Sequence, residues 1–184
     1  MRVLAGSLKG QRLVTPKGRT TRPTADQVRI ACLDTLMPYL EGGPFLDLFA
    51  GAGGVGIEAL SRGAPSAVFV ERDRPAVIAL DENVTRLGLL ERARVLRQDV
   101  TRALALLDRE GRTFAVVFLD PPYDSSDGAA ALTRVAQSDC LLPGAVVVAQ
   151  HATKAPLPDE LGCLERWKDR RFGETTLTFF RRGA

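Results

Sequence analysis

From residue 45 onward, apolar and polar positions form a regular alternation of two kinds of segment. Five short apolar runs are typical of buried parallel strands: 45–49, 67–70, 94–96, 114–119 and 145–149. Four segments between them, with apolar residues on one helical face, predict helices: 54–62, 75–87, 100–109 and 127–137. Strands that alternate with helices predict a mostly parallel sheet with helices on both faces.

The two ends of the chain have a different pattern, which predicts antiparallel hairpins. Residues 2–14 alternate loosely around a Gly/Lys turn, and a polar loop then leads to a helix over 25–40 with Thr24 as its cap. Pro143-Gly144 predicts a turn before the fifth strand, and 162–168 with 174–181 predict a closing hairpin. We therefore expect a seven-stranded sheet, with an N-terminal extension over 1–24 and one α/β domain over 25–184.

The composition is that of one globular domain. The chain has 184 residues, of which 45% are hydrophobic and 26% charged, enough for one sizeable core. No apolar run approaches the roughly 18 residues needed to cross a bilayer, and the first residues do not resemble a secretory signal. Three widely spaced cysteines and a single histidine, His151, suit neither a disulfide framework nor a metal site. We expect a cytoplasmic protein without a metal or a membrane partner.

Positive charge is concentrated at the two ends of the chain. Residues 1–29 contain seven Lys or Arg against the single acid Asp26, and residues 166–184 contain six against Asp169 and Glu174. The segment between them is net negative. Basic ends on an acidic body predict that the two termini form a face for a polyanion. The alternative, that these charges only keep the surface soluble, stays open.

A glycine-rich turn follows the first predicted strand: Asp47-Leu48-Phe49-Ala50-Gly51-Ala52-Gly53-Gly54-Val55-Gly56. Glycines let a ligand approach the main chain, and in open α/β sheets ligands bind beyond the carboxyl ends of the strands. Glu71 follows Gly51 by 20 residues, at the end of the second strand, where a carboxylate can accept hydrogen bonds from ribose hydroxyls. This combination predicts a site for an adenosine-containing cofactor.

Two cofactor classes fit the turn. Gly51, Gly53 and Gly56 match the dinucleotide pattern G-x-G-x-x-G, so a nicotinamide-dependent oxidoreductase is one interpretation. Asp47 would repel a pyrophosphate but could pair with the ammonium of a methionine moiety. Gln98-Asp99, after the third strand, could contact an adenine amino group. These residues favour S-adenosylmethionine and leave the dinucleotide as the alternative.

The motif Asp120-Pro121-Pro122-Tyr123 follows the most apolar predicted strand. Two successive prolines stiffen the turn and remove two N–H donors, which leaves the Asp120 carboxylate and the Pro121 carbonyl as acceptors. Such acceptors can hold the hydrogens of an exocyclic base amine and aim its lone pair, while Tyr123 stacks on the base. The motif indicates methyl transfer to a nucleobase nitrogen; a turn that only stiffens the strand end is the alternative.

These motifs resemble those of class I, Rossmann-like S-adenosylmethionine-dependent methyltransferases that act on amino nitrogens. More narrowly, nearly the whole chain is similar to the RsmD family, bacterial enzymes that methylate N2 of a guanine in small-subunit ribosomal RNA. The N-terminal blocks carry most of this resemblance: Arg2-Val3-Leu4-Ala5-Gly6, Lys9-Gly10-Gln11-Arg12-Leu13 and Arg22-Pro23-Thr24-Ala25-Asp26-Gln27-Val28-Arg29. Tyr123 stands where the family more often has Phe, and Gln150-His151 where it tends to have an acid.

The resemblance implies a three-layer αβα Rossmann-like fold that binds S-adenosylmethionine. The implied cofactor site is Asp47, Phe49, Gly51, Gly53, Gly56, Glu71, Arg72, Gln98, Asp99 and Val100. The implied catalytic residues are Asp120, Pro121, Pro122 and Tyr123. Arg22 and Thr24 would belong to a flap over the cofactor and target base, with Arg29 near a phosphate. Arg2, Lys9 and Arg12 would hold the RNA backbone.

We expect a monomer that acts on ribosomal RNA or on the assembling small ribosomal subunit. Guanine N2 rests on the resemblance alone, because adenine N6 presents the same kind of amine. Two other classes of protein stay open, the oxidoreductase and a non-catalytic RNA-binding module on the same fold. The intact Asp120 motif argues against the second of these.

Overall fold

The computed structural model describes residues 1–16, 23–122 and 127–183, apart from the side chains of Pro23, Thr24 and Asp127. Five helices lie in these ranges: α1 (Pro23–Leu40), α2 (Gly54–Ser61), α3 (Arg74–Arg86), α4 (Val100–Arg109) and α5 (Asp127–Ala136). Eight strands accompany them: β1 (Phe45–Leu48), β2 (Ala67–Val70), β3 (Ala93–Leu96), β4 (Phe114–Leu119), β5 (Leu141–Ala152), β6 (Glu160–Leu161), β7 (Leu164–Phe172) and β8 (Thr175–Arg182). The predicted alternation of strands and helices is confirmed from β1 to β5.

All of these strands form one sheet, in the order β3-β2-β1-β4-β5-β8-β7-β6. Strands β1 to β5 pair in parallel, while β8, β7 and β6 add antiparallel strands beyond β5. The predicted fold class is confirmed, but the sheet has eight strands where we expected seven. The additional strand, β6, pairs only two residues with β7, and two residues are too few to leave an alternating pattern.

The fifth strand is longer than its apolar run. It begins at Leu141, so Pro143-Gly144 lies inside β5 and the predicted turn at this point is wrong. The pairing of β4 with β5 shifts register between Phe114 and Val116, opposite these two residues. A proline, which cannot donate to a neighbouring strand, is tolerated in a sheet at such an irregularity.

Helices cover both faces of the sheet, and successive strand residues are buried on alternate sides. Phe45 and Phe69 pack on the face covered by α1, α2 and α3, whereas Leu46 and Val117 pack on the face covered by α4 and α5. Burial on both faces explains why the central strands are continuous apolar runs. Within the described ranges, no helix is long and apolar enough to cross a membrane.

The N-terminal hairpin packs into the same core as the sheet. An antiparallel bridge joins Arg2 to Arg12, and Val3 is buried in the cluster on the α1 face. The Leu4 N–H donates to the buried carboxylate of Glu58 in α2, at 3.2 Å. The hairpin is therefore attached directly to the helix that follows the glycine turn.

Candidate active site

Two adjoining cavities open at the edge of the sheet where the parallel strands end. The chain order reverses between β1 and β4, which is the point at which open α/β sheets bind ligands. The larger cavity, of about 570 Å³, is lined by ten of the predicted site residues: Phe49, Gly51, Glu71, Arg72, Gln98, Asp99, Val100, Asp120, Pro121 and Pro122. The smaller, of about 190 Å³, contains Asp47 and shares Phe49 and Asp120 with the larger one.

The glycine turn has a backbone that few residues adopt. Gly51 and Gly53 have φ angles of +57° and +86°, and Phe49 has a φ angle of +63°, which is uncommon for a bulky residue. A Cβ at Gly53 would lie 2.4 Å from Leu80 Cδ1 in α3, so this position requires glycine for space as well as for conformation. Strained residues cluster at ligand sites, and Phe49 lines both cavities.

Glu71 is held rigidly at the carboxyl end of β2. One carboxylate oxygen accepts a hydrogen bond from the Gly51 N–H at 2.7 Å. The other accepts from the N–H groups of Arg72 and Asp73, both at 2.8 Å. These bonds tie the acid to the glycine turn and keep it at the wall of the larger cavity, where the sequence predicted a ribose-binding carboxylate.

Asp47 is a buried acid beneath the same turn. Its Oδ2 accepts a hydrogen bond from the Gly56 N–H at 2.9 Å, which fixes the first turn of α2. A Cβ at Gly56 would lie 2.3 Å from the Phe69 ring, so glycine is needed for this close approach. Burial raises the pKa of Asp47 to about 8, against the hydrogen bond from Gly56, and the nearby carboxylates of Asp120 and Glu71 add to the increase. A cation beside this group would favour its ionised form.

Asp120 lies on the wall that the two cavities share. It follows β4, and burial raises its pKa to about 7. The next residue, Pro121, packs tightly on the start of α5, since a Cβ at Gly128 would lie 2.5 Å from its Cγ. This contact holds one side of the turn against α5. Tyr123, the last residue of the motif, lies outside the described residues.

Three residues that follow β3 line another part of the larger cavity, namely Gln98, Asp99 and Val100. Asp99 is the N-cap of α4, because its side chain accepts a hydrogen bond from the Arg102 N–H at 3.1 Å. Gln98 and Val100 flank it along the cavity wall. The expected contact of Gln98-Asp99 with an adenine amino group stays a prediction.

The basic residues of the N-terminal block separate into two groups. Arg2, Lys9 and Arg12 are exposed on the hairpin. Arg29 is only 6% exposed, and its guanidinium donates to the Arg2 carbonyl at 2.7 Å and lies 3.2 Å from the buried carboxylate of Glu58. The expectation that Arg29 lies near an RNA phosphate stays a prediction: the residue lines the smaller cavity, while its guanidinium is paired with Glu58 inside the protein. A buried carboxylate requires such a partner.

The structure does not describe the side chains of the two predicted flap residues, Arg22 and Thr24. Arg22 lies outside the described residues. Thr24 is the second residue of α1, which begins at Pro23, so it lies inside the helix where a preceding cap was expected. The side chain of Thr24 is outside the described part of the chain, and the flap stays a prediction.

Two further residues, Glu58 and Gln150, were not among the predicted site residues. Glu58 is fully buried in α2 and pairs with Arg62 at 2.9 Å as well as with Arg29. Gln150, at the carboxyl end of β5, lines the smaller cavity beside Asp120. Gln150 comes directly after a predicted apolar strand, and this position could have marked it as a site residue. The local sequence around Glu58 does not indicate that it pairs with Arg29.

Together, the strand–glycine turn–helix unit, the acid that ends β2 and the Asp-Pro-Pro turn after β4 define a Rossmann-like methyltransferase of class I. The sequence matches the family described as "Conserved hypothetical protein 95" over residues 1–181. It is 38% identical over 182 residues to the "Putative rRNA methyltransferase YlbH" of Bacillus subtilis (strain 168), with 99% of each chain covered.

Two further comparisons agree with this result. The chain is 33% identical over 158 residues to the "Ribosomal RNA small subunit methyltransferase D" of Haemophilus influenzae (strain ATCC 51907 / DSM 11121 / KW20 / Rd), covering 85% of this chain and 81% of the relative. The solved structure "Putative methyltransferase yhhF from Escherichia coli" superposes with a TM-score of 0.86 at 26% identity, over 100% of this chain and 98% of that one.

The chain therefore belongs to this family, the RsmD family of methyltransferases. The predicted resemblance is confirmed, and so is the predicted enzyme class. The family decides against the nicotinamide-dependent oxidoreductase that the spacing of Gly51, Gly53 and Gly56 had left open. The particular roles of the site residues stay predictions.

Proposed function

We propose that this protein transfers a methyl group from S-adenosylmethionine to the N2 amine of a guanine in small-subunit ribosomal RNA. The observation that most supports the proposal is the place of Asp120, on the wall between a cavity suited to a nucleoside and a second cavity beside the basic hairpin. The relatives named as small-subunit ribosomal RNA methyltransferases make that RNA the first substrate to test.

The residues of the two adjoining cavities fit S-adenosylmethionine. Glu71, held by three backbone N–H groups, would accept hydrogen bonds from the ribose hydroxyls. Asp47, whose carboxyl group burial keeps protonated, would ionise beside the methionine ammonium. The strained turn at Phe49 and Gly51 leaves backbone open to the ligand. When bound, this cofactor supplies an activated methyl group whose leaving group is a neutral thioether.

The Asp-Pro-Pro turn would hold the methyl acceptor. The Asp120 carboxylate and the Pro121 carbonyl would accept the two hydrogens of the guanine amine, which directs the nitrogen lone pair toward the methyl group. The base reaches this turn only if it leaves its stack in the RNA. After transfer the nitrogen loses a proton, and a carboxylate whose pKa lies near 7 can take it up before it passes to water.

The exposed hairpin residues Arg2, Lys9 and Arg12 would hold the RNA backbone. Met1, the residue next to Arg2, lines the smaller cavity, so the basic hairpin reaches the place where the base would enter. Phosphate contacts position a nucleic acid without specifying its sequence. We therefore assign these residues to binding and the Asp120 motif to chemistry.

Mass spectrometry of ribosomal RNA nucleosides tests the proposal directly. A strain without the gene should lack one N2-methylguanosine in its small-subunit ribosomal RNA. The wild-type gene should restore it, and so should the control variant Asp139→Ala, which changes an exposed acid away from the site, whereas Asp120→Ala should not. Loss of an N6-methyladenosine would establish the adenine alternative, and an unchanged nucleoside profile would reject both.

A further inference from the structure

Gln150 lies beside Asp120 at the carboxyl edge of the sheet. Strands β4 and β5 pair in parallel with Leu119 opposite Ala149, so the residues that follow on the two strands are Asp120 and Gln150. Neighbouring strands are about 4.8 Å apart. Both residues line the smaller cavity, so they border the same space.

The Gln150 carboxamide makes no hydrogen bond within the described part of the chain, although the residue is half-buried. The neighbouring groups do have partners. Gln150 is paired with Leu177 of β8 in the strand register, and Nε2 of the next residue, His151, lies 2.8 Å from Thr178 Oγ1. An amide carries one acceptor oxygen and two donor hydrogens. A half-buried amide that borders a cavity and is left unpaired is a group that a ligand can satisfy.

We infer that Gln150 selects guanine by contacting the Watson–Crick edge of the base, an inference that rests on the proposed function. With the N2 amine held at Asp120, the N1–H donor and the O6 acceptor continue along the edge of guanine toward the neighbouring strand. The Gln150 carboxamide can accept from N1–H and donate to O6 at the same time. Two adjacent side chains would thus cover the complete edge of the base.

Adenine does not fit this arrangement as well. Held by its N6 amine at Asp120, it presents an unprotonated N1 and then a C–H group, so the amide could form one hydrogen bond at most. A two-bond contact between an amide and a base gives discrimination of about 5- to 150-fold. Asp120 accepts from any exocyclic amine, and the choice between bases therefore falls to Gln150.

The test compares two bases at the small-subunit nucleotide that loses its methyl group in the strain without the gene. Small ribosomal subunits carry there either guanine or 2-aminopurine, which keeps the N2 amine but has an unprotonated N1 and a C–H group in place of the carbonyl at C6. In either of its two orientations the amide can form one hydrogen bond at most to the N1–C6 edge of this base. Single-turnover rates are measured for the wild type, Gln150→Leu and Gln150→Ala. Gln137→Leu, at an exposed glutamine just after α5, is the matched control.

The wild type and the control should prefer guanine by about 5- to 150-fold. Both Gln150 variants should lose most of this preference by slowing much more on guanine than on 2-aminopurine, with unchanged affinity for S-adenosylhomocysteine. A wild type that treats the two bases equally, or variants that slow equally on both, would overturn the inference. A wild type that methylates neither base would instead contradict the proposed function. The comparison of bases with the wild-type enzyme stands even if a variant does not fold.

Discussion

Binding of a cofactor that carries an ammonium group should expel a proton from Asp47. Burial raises the pKa of this carboxyl to about 8, so about nine in ten molecules hold the proton at pH 7. An ammonium beside the carboxylate stabilises the ionised form. We therefore expect S-adenosylhomocysteine to release close to one proton on binding at pH 7 and few at pH 9, where Asp47 is already ionised.

Isothermal titration calorimetry in buffers of different ionisation enthalpy counts these protons. Asp47→Asn keeps an acceptor for the Gly56 N–H but cannot ionise, so its binding heat should not depend on the buffer. Asp120→Asn is the matched control, because it removes another carboxyl of raised pKa and should keep most of the release. Identical heats in every buffer for the wild type, or an equal buffer dependence in Asp47→Asn, would refute the assignment.

The same carboxyl should make the stability of the free protein depend on pH. Its pKa of about 8 in the folded state lies above the ordinary value of 3.8, so the folded state binds the additional proton between these limits. Stability should therefore fall as pH rises from about 4 to about 8. In Asp47→Asn, the Tm measured from pH 5 to pH 8 should decline less than in the wild type.

The remaining predictions concern the other parts of the site. Asp120→Ala should lower single-turnover methylation by about 10²- to 10³-fold with little change in S-adenosylhomocysteine affinity, and the wild-type rate should rise with pH through about 7 as this carboxyl ionises. Glu71→Ala should weaken S-adenosylhomocysteine binding by about 1–3 kcal/mol in calorimetry, and unchanged affinity would remove it from the site. Replacing Arg2, Lys9 and Arg12 by Gln should reduce the slope of log affinity for RNA against log salt by about 0.7–0.9 for each phosphate that is no longer neutralised; an unchanged slope would place the RNA elsewhere.

The elements of the sheet and the general position of the site followed from local pattern. Glu71 and Asp120 come directly after an apolar run that predicts a strand, and Gly51 comes two residues after one. Parallel strands place their carboxyl ends at one edge, so three motifs far apart in the sequence could be expected to meet there. All three lie on the wall of one cavity in the folded protein.

The sequence could not show which charges are used inside the protein. Arg29 is the last residue of a basic N-terminal block, and the sequence does not distinguish it from the surface arginines of that block. In the structure it pairs with the buried carboxylate of Glu58, 29 residues further along the chain. Because the hairpin is also fixed by Val3 in the core, its charges are better tested by substitution than by deleting it. An ion pair between distant elements has no local signature.

Pairing between strands decided the rest. The register of β4 and β5 sets Gln150 beside Asp120, and the bulge in that pairing draws Pro143-Gly144 into a strand where composition predicts a turn. Periodicity along the chain determines which side of each element faces the core, because that depends only on neighbouring residues. The partner across a strand or a helix contact depends on the packing of segments far apart in sequence, and only the tertiary structure contains it.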